Sequence, residues 1–132
     1  MQVHQGPGWR FAVDPSRDPY PVLVGTEDWA VELTAAEASA LRRSALRLVS
    51  ELETLSDQLM PEEQISLELD CDLVWVELEG RPGELSLRFV LQPLASTGGG
   101  RGVEGRWTVP ATAALLAVLA QHHLEDPPSA WT

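Results

Sequence analysis

The chain has 132 residues, a hydrophobic content of 44% and a formal net charge of −11, a size that fits one domain over residues 1–132 with a single core. All nine basic residues are arginine, so little positive charge is available to neutralise a nucleic-acid backbone or to hold an anionic membrane. No apolar run approaches the roughly 20 residues that a membrane-spanning helix needs. We expect no secretory signal, because no basic segment followed by an apolar stretch opens the chain. A single cysteine, Cys71, fits a cytoplasmic protein.

Alternating apolar and polar residues predict strands in both halves of the chain. The segment 21–33 predicts two strands or one strand bent at Gly25. The segment 65–80 is joined to the next strand by EGRPGE, whose turn residues are typical of a hairpin. The predicted strand segments are 9–13, 21–33, 65–80, 84–92 and 103–109.

Two helices are predicted. The first begins at Thr34, which forms a capping box with Glu37, and its apolar stripe continues to about Met60. A helix of this length is longer than one small sheet needs, so its last turns are a candidate dimer or partner contact. The second helix, over about 110–123, begins with a proline and is apolar on most of its faces.

An internal repeat relates the two halves of the chain. A shift of 78 residues places WRFAVDP, from position 9, on LRFVLQP, from position 87, and WAVELTAAEASAL on WTVPATAALLAVL. The repeat predicts an α+β domain with two antiparallel sheet-plus-helix units, over 9–60 and 65–124, related by a pseudo-two-fold axis. We expect the tails, residues 1–7 and 125–132, to be flexible.

The segments GWRFAVDP, GTEDWAVELTAAEA and GRWTVP resemble those of a small uncharacterised cyanobacterial family, a domain of unknown function. That family is assigned the Whirly-like fold of single-stranded-DNA-binding transcriptional regulators, which is shared with transcription positive cofactor four and mitochondrial guide-RNA-binding proteins. The resemblance implies an open sheet face that binds single-stranded nucleic acid. In the binding members this face is basic and carries aromatic side chains. Here it is mixed to acidic, and the strand aromatics Trp9, Phe11, Phe89 and Trp107 fall on the core side.

The stretch ISLELDCDLVWVELEG would place Glu68, Asp70 and Asp72 on one face of a strand. Three interpretations fit these carboxylates. They could pair with Arg88 and Arg106 in a charge ladder, hold a divalent metal ion with a third ligand such as Glu104, or form a glycosidase pair. The ladder is favoured, because no cleft and no obvious third ligand accompany the carboxylates.

Other candidate sites have ordinary structural explanations. His122 and His123 are adjacent in the last turn of a helix, so their side chains diverge by about 100° and do not chelate one ion together. Cys71 lies on the apolar side of its strand, where thiols are unreactive. The TGGGRG segment lacks the Lys-Ser/Thr of a phosphate-binding loop. We therefore predict no enzyme activity, no cofactor and no metal.

Arginine positions carry the remaining functional hypotheses. Arg42, Arg43 and Arg47 lie on the outer face of the first helix, either as a solvated surface or as a dock for an acidic partner or phosphate. The leading hypothesis is a non-catalytic binding or adaptor module that acts through protein contacts or self-association. The alternative is a single-stranded nucleic-acid-binding regulator. Its open sheet would use Arg10, Arg88, Arg101 and Arg106.

Overall fold

Two four-stranded antiparallel sheets, each followed by one helix, build the protein in a computed structural model that describes residues 1–92 and 102–122. The first sheet has the order β1-β2-β3-β4 and the second the order β5-β6-β7-β8. The first unit comprises β1 (Gln2–Gly6), β2 (Trp9–Val13), β3 (Val22–Gly25), β4 (Ala30–Leu33) and α1 (Ala35–Leu55). The second comprises β5 (Ile65–Asp70), β6 (Val74–Arg81), β7 (Glu84–Leu91), β8 (Val103–Arg106) and α2 (Val109–Gln121).

The helices connect the two units into one core. Helix α1 packs mainly against β6 of the second sheet, and α2 packs against β7 and also against β2 of the first sheet. The core is apolar, and its largest fully buried side chains are those of Trp107, Phe11 and Phe89. Each sheet therefore buries one face, and neither α1 nor α2 covers the other, as the alternation of its residues requires.

Several local predictions are confirmed. The fold is α+β with two sheet-plus-helix units, and the segment 21–33 forms two strands. The capping box is present: Thr34 Oγ1 accepts from the Glu37 amide at 3.1 Å, and the Glu37 carboxylate accepts from the Thr34 amide at 2.8 Å. The four aromatic residues expected on the core side, Trp9, Phe11, Phe89 and Trp107, are buried. Neither described helix combines the length and the apolar character needed to cross a membrane.

Two elements of the first unit differ from the prediction. Residues 2–6 form strand β1, which pairs with β2, within the segment 1–7 that was predicted as a tail. The helix ends at Leu55, and a 3-10 turn, Ser56–Gln58, replaces its predicted last turn. Most side chains from Leu55 to Met60 are exposed, so no packing holds this segment in a helix. The expected tail over 125–132 lies outside the described residues.

The predicted strand over 65–80 is two strands separated by a turn. Asp72 has a φ of 58°, which reverses the chain between β5 and β6. The buried residues after this turn are Val74, Val76 and Leu78. Trp75, which the simple alternation places on the apolar side, therefore lies on the opposite face of the sheet.

The shift of 78 residues that aligns the two halves of the sequence does not pair equivalent strands of the two sheets. A shift of 78 residues places β2, the second strand of its sheet, on β7, the third strand of its sheet. The two units share four strands and a helix in the same order. The matched segments nevertheless occupy different places in the two sheets.

Candidate functional site

The uncovered face of the second sheet, called here the second-sheet face, carries a mixed set of polar and aromatic side chains. Pairing of the strands fixes two neighbouring rows on it. One row runs across the strands as Glu68, Glu77, Arg88 and Arg106. The next runs as Asp70, Trp75, Val90 and Glu104.

Arg88 is the centre of the charged contacts on this face. Its Nη2 atom lies 2.7 Å from Glu104 Oε2, and its Nη1 atom lies 3.8 Å from Glu77 Oε1. The hydrogen bond to Glu104 and the charges of both carboxylates raise the pKa of Arg88 above its usual range. A charge ladder is therefore present, but its carboxylates come from β6 and β8 rather than from the predicted acidic strand.

The three carboxylates of the predicted acidic face do not form one site. Glu68 and Asp70 lie on β5, whereas Asp72 lies in the turn that follows. Asp70 Oδ1 accepts from the Asp72 amide at 3.0 Å and from Gln92 Nε2 at 3.0 Å. Glu104, the suggested third metal ligand, pairs with Arg88 instead. Within residues 1–92 and 102–122, no group of three or more histidine, cysteine or acidic side chains is placed to hold a metal ion.

Trp75 is an aromatic side chain on the second-sheet face that the sequence interpretation missed. The guanidinium carbon of Arg88 lies 5.1 Å from the centre of the Trp75 ring, within cation–π range. The reversal at Asp72 changes which residues face outward. The sequence contained one sign of this outward tryptophan, the contiguous apolar run Leu73–Val76. Because a helix layer covers only one side of a strand, such a run leaves some of its apolar side chains on the uncovered face.

The uncovered face of the first sheet, called here the first-sheet face, is much less charged. Register places Val3 opposite Ala12, Ala12 opposite Leu23, and Leu23 opposite Glu32. Val3 is 53% exposed. This face therefore presents a row of apolar side chains that ends at one carboxylate.

Arg10 does not offer a free cation on this face. Its Nε donates to the carbonyl oxygen of Thr26 at 2.6 Å, and its Nη2 donates to the carbonyl oxygen of Trp29 at 3.0 Å. Both acceptors belong to the loop that joins β3 to β4. Arg10 therefore stabilises this loop and is half-buried.

The arginine cluster of α1 is also engaged in local contacts. Arg42 Nε donates to the carbonyl oxygen of Leu119 at 2.8 Å. Arg43 Nη1 donates to Ser39 Oγ at 3.2 Å, and Arg47 pairs with Glu51 at 3.3 Å. The structure does not bring this cluster together with the arginines of the sheets. Arg106 is exposed, and Arg101 and His123 lie outside the described residues.

The fold and its two uncovered faces define an α+β protein built from two sheet-plus-helix units, with one apolar and one mixed-charge outer face. The family model of a domain of unknown function, DUF1818, matches residues 4–122. The chain belongs to this family.

A solved structure supports the same architecture. It is the crystal structure of a protein of unknown function, described as belonging to the DUF155 family, from Prochlorococcus sp. NATL2A. It is 33% identical to this chain with a TM-score of 0.84, over 92% of this chain and 98% of that one. No curated protein matches the chain significantly.

Proposed function

We propose that the protein is a non-catalytic binding module that self-associates through the first-sheet face and the adjoining edge of β1. The observation that carries this proposal is the apolar row from Val3 to Leu23, over which neither of the two described helices packs. We further propose that the fold is Whirly-like and that the protein is cytoplasmic. Two four-stranded antiparallel sheets with a helix after each support the fold proposal, and the lone cysteine supports the location.

Charge selects the edge at which two copies meet. Two identical copies of a chain with a net charge of −11 repel each other unless the contact surface is nearly neutral. The edge strands β4, β5 and β8 each carry at least one glutamate or aspartate, whereas β1 has the sequence QVHQG without a carboxylate. An uncharged edge strand is the kind that pairs with a second chain.

The outer edge of β1 can form a symmetric contact with a second copy. Its inner neighbour is β2, and its other edge has no partner strand among the described residues. Antiparallel pairing of β1 with the same strand of a second copy is a two-fold arrangement in which each copy uses the same surface. The exposed side chain of Val3 would then be covered on the first-sheet face.

Sedimentation velocity over a concentration series tests self-association. We expect the untagged chain to sediment as a species larger than a monomer, and Val3→Glu to shift it toward the monomer. Val109→Glu is the matched control, because Val109 is 38% exposed in the first turn of α2 and does not belong to the first-sheet face. A monomer at all concentrations, or equal effects of the two variants, would overturn the proposal.

A second candidate function rests on Trp75 and Arg88. An aromatic ring beside an arginine on an open sheet face is the combination that stacks with bases of single-stranded nucleic acid. The carboxylates Glu77 and Glu104 oppose this function, because they already neutralise Arg88. The resemblance noted in the sequence also supports this candidate.

Fluorescence anisotropy of a labelled single-stranded oligonucleotide at low salt tests the second candidate. We expect a rise in anisotropy that weakens steeply with salt if nucleic acid is the ligand. Trp75→Ala should then abolish stacking, while Arg47→Gln on α1 should leave binding unchanged. No rise at low salt would exclude the nucleic-acid function.

A further inference from the structure

Two histidines from opposite ends of the chain meet beside the first sheet. His4 lies on β1 and His122 lies at the C-cap of α2. Their Nε2 atoms are 2.9 Å apart, and the planes of the two rings are inclined at 76°. The ring of Phe11 packs edge-on against His122 with centres 5.2 Å apart. The pair is therefore set by the packing of β1 and β2 on the end of α2.

The separation of the two nitrogens is that of a hydrogen bond between the rings, and it also matches the separation of two ligands on one shared metal ion. Imidazole nitrogens bind first-row transition metals at about 2.0–2.1 Å. Two such ligands at a right angle around one ion are about 2.9 Å apart, and at a tetrahedral angle about 3.3 Å apart, from the same bond length. The two Nε2 atoms already have the separation of the right-angle geometry. They would have to move apart by about 0.4 Å for the tetrahedral geometry.

The surroundings leave room for an ion beside the end of a helix. The pair borders an open depression of about 640 Å³ whose other lining residues are Gln2, Val3 and Gln121. His122 lies at the C-terminal end of α2, where the helix carbonyls carry partial negative charge. Water and the two glutamine side chains offer oxygen ligands for the remaining coordination positions.

One charged neighbour acts against a cation. Arg42 donates to the carbonyl oxygens of Leu119 and Ala120 at this end of α2. Burial lowers the pKa of His122, and the charges of His4 and Arg42 lower it further.

We propose that His4 and His122 bind one divalent transition-metal ion, of the Cu²⁺, Ni²⁺ and Zn²⁺ class, through their Nε2 atoms. The site takes two protein ligands and completes its coordination with water. It lies on the inner side of β1, and the depression that borders it also reaches Val3. A bound ion would link β1 to the end of α2 through the two histidines and so stabilise the edge of the first sheet.

Isothermal titration of the untagged chain with each metal salt tests the site. We expect one ion per chain with Cu²⁺ bound most tightly, since imidazole sites follow the Irving–Williams order. His4→Gln and His122→Gln should each weaken binding by more than about tenfold, because one ligand of the chelate is lost. His123→Gln is the matched control, since His123 is the third and last histidine of the chain, and it should leave affinity unchanged.

A spectroscopic measurement on the unmodified chain removes any dependence on variant folding. Substoichiometric Cu²⁺ should broaden the imidazole resonances of His4 and His122 before that of His123. Absence of binding, selective broadening of His123, or an equal loss in all three variants would overturn the proposal. Repeating the titration at a protein concentration at which sedimentation velocity shows only monomer separates this site from self-association, because the monomer should still bind one ion.

Discussion

The indole N–H of Trp107 donates a hydrogen bond to the carbonyl oxygen of Gly25 across 2.9 Å. Trp107 follows β8 in the second unit, and Gly25 ends β3 in the first. The Trp107 ring also lies 5.3 Å from that of Trp29 and 5.4 Å from that of Phe89, between ring centres. The two sheets are thus joined by an aromatic cluster that contains a buried polar contact.

Replacing the indole should show how strongly this contact joins the units. Trp107→Phe leaves the Gly25 carbonyl without this donor and leaves part of the indole volume empty. We expect the free energy of unfolding to fall by about 2–4 kcal/mol, measured by urea denaturation. Trp75→Phe, on the half-exposed second-sheet face, should lower it by less than about 1 kcal/mol. Equal losses would show that the buried hydrogen bond contributes nothing specific.

Thr112 provides a second test of buried polar contacts. Its Oγ1 accepts from the Leu87 amide at 3.0 Å and donates to the Trp107 carbonyl at 3.3 Å. Thr112→Val keeps the shape and removes both bonds, so we expect a loss of about 1–3 kcal/mol in urea denaturation. Thr54→Val, on an exposed turn of α1, is the control and should change stability by about 0.5 kcal/mol or less. A Thr112→Val protein as stable as the control would contradict this role.

Features fixed by neighbouring residues could be predicted from the sequence. The capping box needs only Thr34 and Glu37, three residues apart, and the structure has both of its hydrogen bonds. Strand β1 could not be recognised, because QVHQG has one apolar side chain and is held by backbone pairing with β2. Backbone hydrogen bonds do not depend on the type of side chain, so the sequence pattern of this strand could not be told from that of a flexible tail.

Features fixed by distant contacts could not be predicted in the same way. The alternation Leu69, Cys71, Leu73 continues without a break through the turn at Asp72, so the alternation itself did not mark the reversal. Only the contiguous apolar run Leu73–Val76 departed from it. The partners of Arg88 depended on which residues of β6 and β8 face outward. The histidine pair joins positions 4 and 122, and only the packing of α2 against the first sheet brings them together.

Gly105 should be sensitive to the smallest added side chain. A Cβ atom at this position would lie 2.5 Å from Trp29 Cη2 and 2.6 Å from Phe89 Cε1. Gly105→Ala therefore forces the aromatic cluster apart, and we expect a loss of about 1–3 kcal/mol by urea denaturation. Gly102→Ala is the matched control, because a Cβ there meets no atom within 4 Å. A neutral Gly105→Ala would show that the two rings can move without cost.

The pH dependence of stability should report on His122. Its pKa is lowered from 6.5 by burial and then by His4 and Arg42, so below pH 6.5 the unfolded chain binds more protons than the folded one. The contribution of neutral His122 to the free energy of unfolding is fully present above pH 6.5. It is lost as the pH falls toward the lowered pKa. We expect the urea midpoint to fall between pH 7.5 and pH 5 with a chelator present.

The His122→Gln variant isolates this contribution from that of the carboxylates. Glutamine does not titrate, so the variant should lose less stability than the unmodified chain over the same pH range. His123→Gln serves as the control for removing a histidine and should keep the full pH dependence. An unchanged pH dependence in His122→Gln would mean that the proton is taken up elsewhere. It would also mean that the packing of His122 against Phe11 and His4 does not disfavour the charged ring.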